Sequence, residues 1–128
     1  MSKKAILVDD SKTVHISFGM AIEELVSSGE IEKVSYFNPL EFIGDIRKNL
    51  DYHLCITDIN MREMNGLHLA EFLKSNPSTK IKPILALTTE DSDAIKQKAK
   101  EIGLTGWITK PFTAQKVETA IKRVLRIR

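Results

Sequence analysis

Three short runs, Ala5-Ile6-Leu7-Val8, Leu54-Cys55-Ile56 and Ile84-Leu85-Ala86-Leu87, are apolar at every position, and longer stretches of helical period lie between them. A strand with no polar face has to be covered on both sides, which is the condition in the middle of a parallel sheet rather than in a half-solvated antiparallel one. The covering elements are legible in the same way. Val14, Phe18, Ala21, Ile22 and Leu25 recur at helical spacing, and Gly29 follows where a helix would stop. Asn38-Pro39 opens a second helix with Leu40, Ile43 and Ile46 inward, since proline is tolerated in a first turn. A third helix is expected over Leu67 to Leu73, a fourth over Asp91 to Ile102, and a last from Thr113 to about Leu125, carrying Val117, Ile121, Val124 and Leu125. Strands are expected at Ala5 to Val8, Lys33 to Phe37, Leu54 to Thr57, Ile84 to Leu87 and Gly106 to Thr109. Five strand–helix units in this order call for a doubly wound α/β fold: a five-stranded parallel sheet with right-handed crossovers and five helices divided between its faces. The more polar "KVSYF" suits an edge and the wholly apolar first strand an interior position, so the strand order 2-1-3-4-5 fits.

The 128 residues contain no Pro/Gly/Ser-rich gap, so a single domain over residues 1–128 is expected, with no room for a separately folded output module. Hydrophobic residues at 42% and charged residues at 28% exclude a disordered tail or a fibre. A formal charge of +2 is too small to argue for direct nucleic-acid binding. The apolar runs are far shorter than the ~20 residues of a membrane-spanning helix, and no secretory leader pattern opens the chain. Cys55, the single cysteine, has no intramolecular partner and lies in an apolar run where a small buried side chain is expected. Together these point to a cytoplasmic protein.

Ligands of such a sheet bind beyond the carboxyl ends of the strands. Strand one ends in Asp9-Asp10, strand three in Asp58, strand four in Thr88-Thr89 and strand five in Lys110-Pro111. Three carboxylates, a hydroxyl and an ammonium therefore converge on one rim. Carboxylates so close repel one another unless a cation sits among them, and hard oxygen ligands with open positions suit Mg²⁺, which takes one or two carboxylates plus a phosphoryl oxygen. A metal, a lysine and a hydroxyl donor are the parts that phosphoryl transfer needs. A carboxylate can supply the nucleophile by forming an aspartyl-phosphate, and Asp58 is the candidate.

"ILVDDS", "CITDINMREMNG", "ILALTT" and "GWITKPF", in this order and at these strand ends, resemble the receiver domain of two-component response regulators, a flavodoxin/CheY-like fold, from about Lys4 to Leu125. That resemblance implies a phosphoacceptor rather than an enzyme, one that assists its own phosphorylation and dephosphorylation. Asp58 would accept a phosphoryl group from a histidine kinase. Asp10 would bind Mg²⁺ directly, Asp9 through water, and Asn60 through its backbone carbonyl. Thr88 would hydrogen-bond the phosphoryl oxygen and Lys110 would pair with it; the Lys110-Pro111 bond would be cis. Thr88 and Trp107 would form the switch, and Asn60, Thr89 and Glu90 would tune access to the acceptor. The stretch "LTTEDSDAIKQKAKEIGLTGWITKPF" is more similar to the stand-alone CheY-like chemotaxis subgroup, which implies a CheA-like kinase, a flagellar motor switch or other protein target, and a monomer. Some members serve instead as phosphate sinks, and a non-chemotactic single-domain regulator is a further alternative.

The chain departs from the family pattern at several points. Arg62 stands where proline is usual after "NM", Asn65 where "DG" is usual, Thr89 in place of a smaller residue, and Trp107 in place of Tyr or Phe, a large side chain for a gate that rotates inward. Each residue also has a plainer reading. Asp9, Asp10 and Ser11 can cap a helix, Thr88, Thr89 or Asp91 can cap the fourth, and Trp107 can simply cover the end of the last strand. His15, His53 and His68 lack metal-ligand spacing and are expected on the surface or in helices. Lys122, Arg123, Arg126 and Arg128 suit the carboxyl end of the last helix. The fourth helix carries only a narrow apolar stripe, Ile95, Ala99 and Ile102, so weak packing is expected. Two rival functions are a small aspartyl-phosphate phosphatase, in which Asn60 replaces the second carboxylate of its DxD motif, and a flavodoxin-like cofactor binder, which lacks its phosphate loop here.

Overall fold

Five parallel strands, β1 (Lys3–Val8), β2 (Ile31–Tyr36), β3 (Leu54–Thr57), β4 (Ile84–Thr88) and β5 (Gly106–Thr109), lie in the order β2-β1-β3-β4-β5 in a computed structural model that describes residues 2–128. The order is the one the apolar pattern requires. Ala5 to Val8 and all of β3 and β4 are buried, while β2, at the edge, is buried only at Ile31 and Tyr36. Six helices connect them: α1 (Lys12–Ala21), α2 (Glu23–Ser27), α3 (Pro39–Arg47), α4 (Gly66–Ser75), α5 (Asp93–Ile102) and α6 (Ala114–Leu125).

Because successive side chains of a strand point to opposite faces, the sheet divides the core into two layers. Ala5, Leu7 and Ile56 join Phe18 of α1, Ile22 of the α1–α2 junction, Leu25 of α2, and Val117 and Ile121 of α6. Ile6, Val8 and Cys55 face the other way, among Phe42, Ile43, Ile46, Leu69 and Leu73 from α3 and α4. Burial pushes the Cys55 thiol far up, so it stays protonated. A smaller cluster of Ile59, Leu67, Ala86 and Ala99 sits under α5, with Ile95 and Trp107 packed against it. Ala99 is the only buried residue of α5, which is the weak packing expected of its narrow stripe.

Three expectations shift. The single first helix is broken at Ile22, whose dihedrals (φ −108°, ψ 15°) leave the helical range while its side chain is fully buried with Phe18 and Leu25. Hydrogen bonds from Ile22 N to Phe18 O and from Val26 N to Ile22 O, both 3.1 Å, carry the chain through the bend, so the break costs little backbone bonding. The second strand begins at Ile31 rather than Lys33 and ends at Tyr36, before Phe37, because its ladder to β1 runs from Lys3 paired with Ile31 to Val8 paired with Tyr36, and Ile31 is buried in the core. The α5 helix starts at Asp93, not Asp91: Ser92 Oγ accepts the Ile95 N–H at 3.2 Å, so neither Thr89 nor Asp91 is the cap, and Asp91 pairs with Lys96 instead.

Gly66 fixes how closely α4 approaches the end of β3. Its N–H donates to Ile59 O at 2.7 Å, and a β-carbon on it would lie 2.0 Å from the Asp58 carbonyl oxygen and 2.8 Å from Ile59 Cα. Backbone on backbone cannot yield as a flexible side chain would. Gly66→Ala should therefore lower stability by at least about 1–3 kcal/mol, the usual cost of overpacking. Urea denaturation measures it, and an unchanged midpoint would contradict the close approach.

Candidate functional site

Parallel pairing delivers the chemistry-bearing residues to one rim. Asp9 leaves β1 with its N–H bonded to Tyr36 O (3.1 Å), and Asp58 leaves β3 with its N–H bonded to Val8 O (3.0 Å). Both side chains are buried. Asp9 Oδ1 accepts the Ser11 N–H at 2.8 Å, and Ser11 Oγ caps α1 at Val14 N, so the carboxylate and the helix start share one turn. Asp58 Oδ1 accepts the Ile59 N–H at 2.7 Å. Lys110 arrives from the end of β5, its N–H bonded to Thr88 O (2.8 Å) and its bond to Pro111 cis. Its Nζ donates to Asp9 Oδ2 at 2.7 Å and to Asp58 Oδ2 at 3.2 Å.

One oxygen from each of Asp9, Asp10 and Asp58 lies within 4.8 Å of the others. Burial pushes the Asp9 carboxyl above its ordinary range; hydrogen bonds from Lys110 and Ser11 and the lysine's charge pull it down without cancelling the burial, and Asp58 adds to the upward push. Three hard oxygen donors, one of them a buried carboxylate whose charge is not fully offset, fit a divalent cation such as Mg²⁺. Asp10 is half-buried, and its Oδ2 accepts the backbone N–H of Arg62 at 3.1 Å.

The response regulator receiver domain family matches residues 5–122. The chain belongs to this family. It is 33% identical over 122 residues to chemotaxis protein CheY1 of Helicobacter pylori, covering 95% of this chain and 96% of that one. It is 29% identical over 127 residues to a probable chemotaxis protein CheY of Rhizobium etli, covering 94% and 91%. Among solved structures it resembles chemotaxis protein CheY4 of Vibrio cholerae, with a TM-score of 0.86 and 29% identity over 98% of this chain and 100% of that chain. The chain is thus a CheY-like receiver of two-component signalling. Among the described residues, no helix is long and apolar enough to cross a membrane.

The remaining residues singled out in the sequence surround this receiver's acidic rim. Thr88 is fully buried at the end of β4, and its Oγ1 accepts the Glu90 N–H at 3.1 Å. The Glu90 carbonyl in turn accepts the Trp107 indole N–H at 3.1 Å, so one residue joins the hydroxyl to the aromatic. Asn60 Nδ2 donates to Glu90 Oε2 at 3.4 Å, linking two of the residues expected to tune access; Thr89, the third, is exposed. His53 and His68 are exposed, whereas His15, though helical as expected, is buried. Its Nε2 lies 2.7 Å from the Asp9 carbonyl oxygen, which can only accept, so that nitrogen carries the proton. His15 and the contact of Arg62 with Asp10 were not foreseen. The one sequence signal for the latter was a residue with an N–H at a position where proline is usual.

The folded protein holds the Asp9 proton more tightly than the unfolded chain does. Metal-free stability should therefore fall as pH rises from the unfolded value of about 3.9 through the raised folded value. Asp9→Asn removes that cost. In chelator, its denaturation midpoint should exceed wild type at neutral pH, and the advantage should shrink as pH is lowered toward the unfolded value. A lower midpoint at neutral pH would mean that pairing with Lys110 outweighs burial.

Proposed function

We propose that this receiver accepts a phosphoryl group on Asp58 from a CheA-like histidine kinase in an Mg²⁺-dependent reaction, acting in the cytoplasm as a single monomeric domain over residues 1–128. The observation that carries this reading is the Lys110 ammonium held between the buried Asp9 and Asp58 carboxylates, with Asp10 alongside. Phosphoryl transfer asks a protein chiefly for positioning and for charge placed where the phosphoryl oxygens will be. A carboxylate oxygen of Asp58 bonds to phosphorus as the donor's phosphorus–nitrogen bond breaks and the imidazole leaves with the electron pair. Asp9, Asp10, Asp58 and the Asn60 carbonyl would hold the cation, which when bound supplies positive charge against the phosphoryl oxygens. Lys110 turns from the free carboxylate to the new phosphoryl group, and the Ile59 N–H keeps the Asp58 side chain oriented.

The same geometry supports a switch. A rotation of the Thr88 side chain that carries Oγ1 toward a phosphoryl group would break the bond that Oγ1 accepts from the Glu90 N–H, and Glu90 holds Trp107 through its carbonyl. A displacement of Thr88 therefore reaches the indole, which packs against the loosely buried α5. The surface of α5, β5 and α6 would change its affinity for a protein target. Relatives of similar length named as chemotaxis proteins favour a chemotactic target such as the flagellar motor switch.

Intact mass after incubation with Mg²⁺ and acetyl phosphate should show one added phosphoryl group on wild type and none on Asp58→Asn. An adduct on the variant would place the acceptor elsewhere. A wild type that takes up neither phosphoryl nor beryllofluoride would end the phosphoacceptor reading. Fluorescence of Trp107, the single tryptophan, should change on phosphorylation of wild type. Thr88→Ala should still be phosphorylated but lose most of that change; an undiminished signal would break the proposed link.

A further inference from the structure

We propose that Arg62 competes with the divalent cation for Asp10 and so sets the receiver's Mg²⁺ affinity. The inference rests on the Mg²⁺ reading above. Lys110 spans Asp9 and Asp58, and Asp10 has a partner of its own: Arg62 Nε lies 3.6 Å from Asp10 Oδ2, the same oxygen that accepts the Arg62 backbone N–H at 3.1 Å. Each carboxylate that offers an oxygen to the cation therefore already faces a positive charge. With Lys110 alone, the three carboxylates would leave two negative charges for a divalent ion to neutralise; Arg62 leaves only one.

The two cations differ in how they are held. The Lys110 side chain is 13% exposed and bridges two buried groups, whereas that of Arg62 is 83% exposed and touches one. Arg62 can swing into water when Asp10 turns to the metal, at the modest cost of an exposed ion pair. Its backbone N–H, which a proline could not supply, holds the same oxygen independently of the side chain. Charge and main-chain contact are thus separable by substitution.

Calorimetric titration of Mg²⁺ into wild type, Arg62→Ala and Arg62→Lys, without a phosphoryl donor, tests this. Arg62→Ala keeps the N–H and loses the charge, so it should bind Mg²⁺ about 2- to 5-fold more tightly at low ionic strength, the range set by an exposed ion pair. The difference should largely close near 1 M salt, where the Debye length falls to about 3 Å. Arg62→Lys, which keeps the charge, should stay nearer to wild type. Equal or weaker binding by Arg62→Ala, or a tightening that salt does not reduce, overturns the role. Failure of all three proteins to bind Mg²⁺ instead removes the metal reading on which the inference stands.

Discussion

The ammonium of Lys110, held between carboxylates that end β1 and β3, is the interaction on which the rest of the site depends. Buried charges survive only when paired and hydrogen-bonded. The sheet makes the pairing possible. Because every strand runs in the same direction, residues far apart in sequence leave the core at one rim, and backbone bonds from Asp9 to Tyr36, Asp58 to Val8 and Lys110 to Thr88 fix their relative positions. The lysine satisfies Asp9 incompletely, since burial still raises its pKa. That residual imbalance is what a bound cation would correct.

Around this pocket, the side chains divide by how firmly they are held. Thr88 ends and Asp58 directly follows strands that are buried throughout, while Asn60, Thr89 and Arg62 belong to exposed loops. Glu90 connects the two groups through three different atoms: its N–H reaches Thr88, its carbonyl Trp107 and its carboxylate Asn60. The buried strand ends and the exposed loops around them are therefore joined through a single residue.

Strands that read as unbroken apolar runs were legible because they are buried on both faces, and Asp9, Asp58 and Thr88 were legible because they stand where such strands end, whereas Lys110 follows the less buried β5. What escaped the sequence lies in tertiary contacts. Nothing in the pattern of Val14 to Leu25 marks Ile22 as the residue that leaves helical dihedrals; its place in the core decides that. His15 has no partner at a recognisable spacing, since its bond is to the carbonyl of Asp9, and every residue has a carbonyl. Arg62 stood out as a departure from the family, but the oxygen it touches is 52 residues away. Gly66 was part of a quoted motif, yet only the close approach of α4 to Asp58 shows why no side chain fits there.

The placement of Cys55 gives this chain an internal reporter. The thiol is fully buried in β3, three positions before Asp58, and burial keeps it protonated and unreactive. The thiolate is the reactive form, so a labelling reagent can reach this sulfur only when the α3 and α4 layer lifts from the sheet or the strand itself opens. Under native conditions its rate of modification therefore counts openings of the core beside the strand that leads to Asp58. Ligands that bind at the rim would register there as slower labelling at a site deep in the sheet.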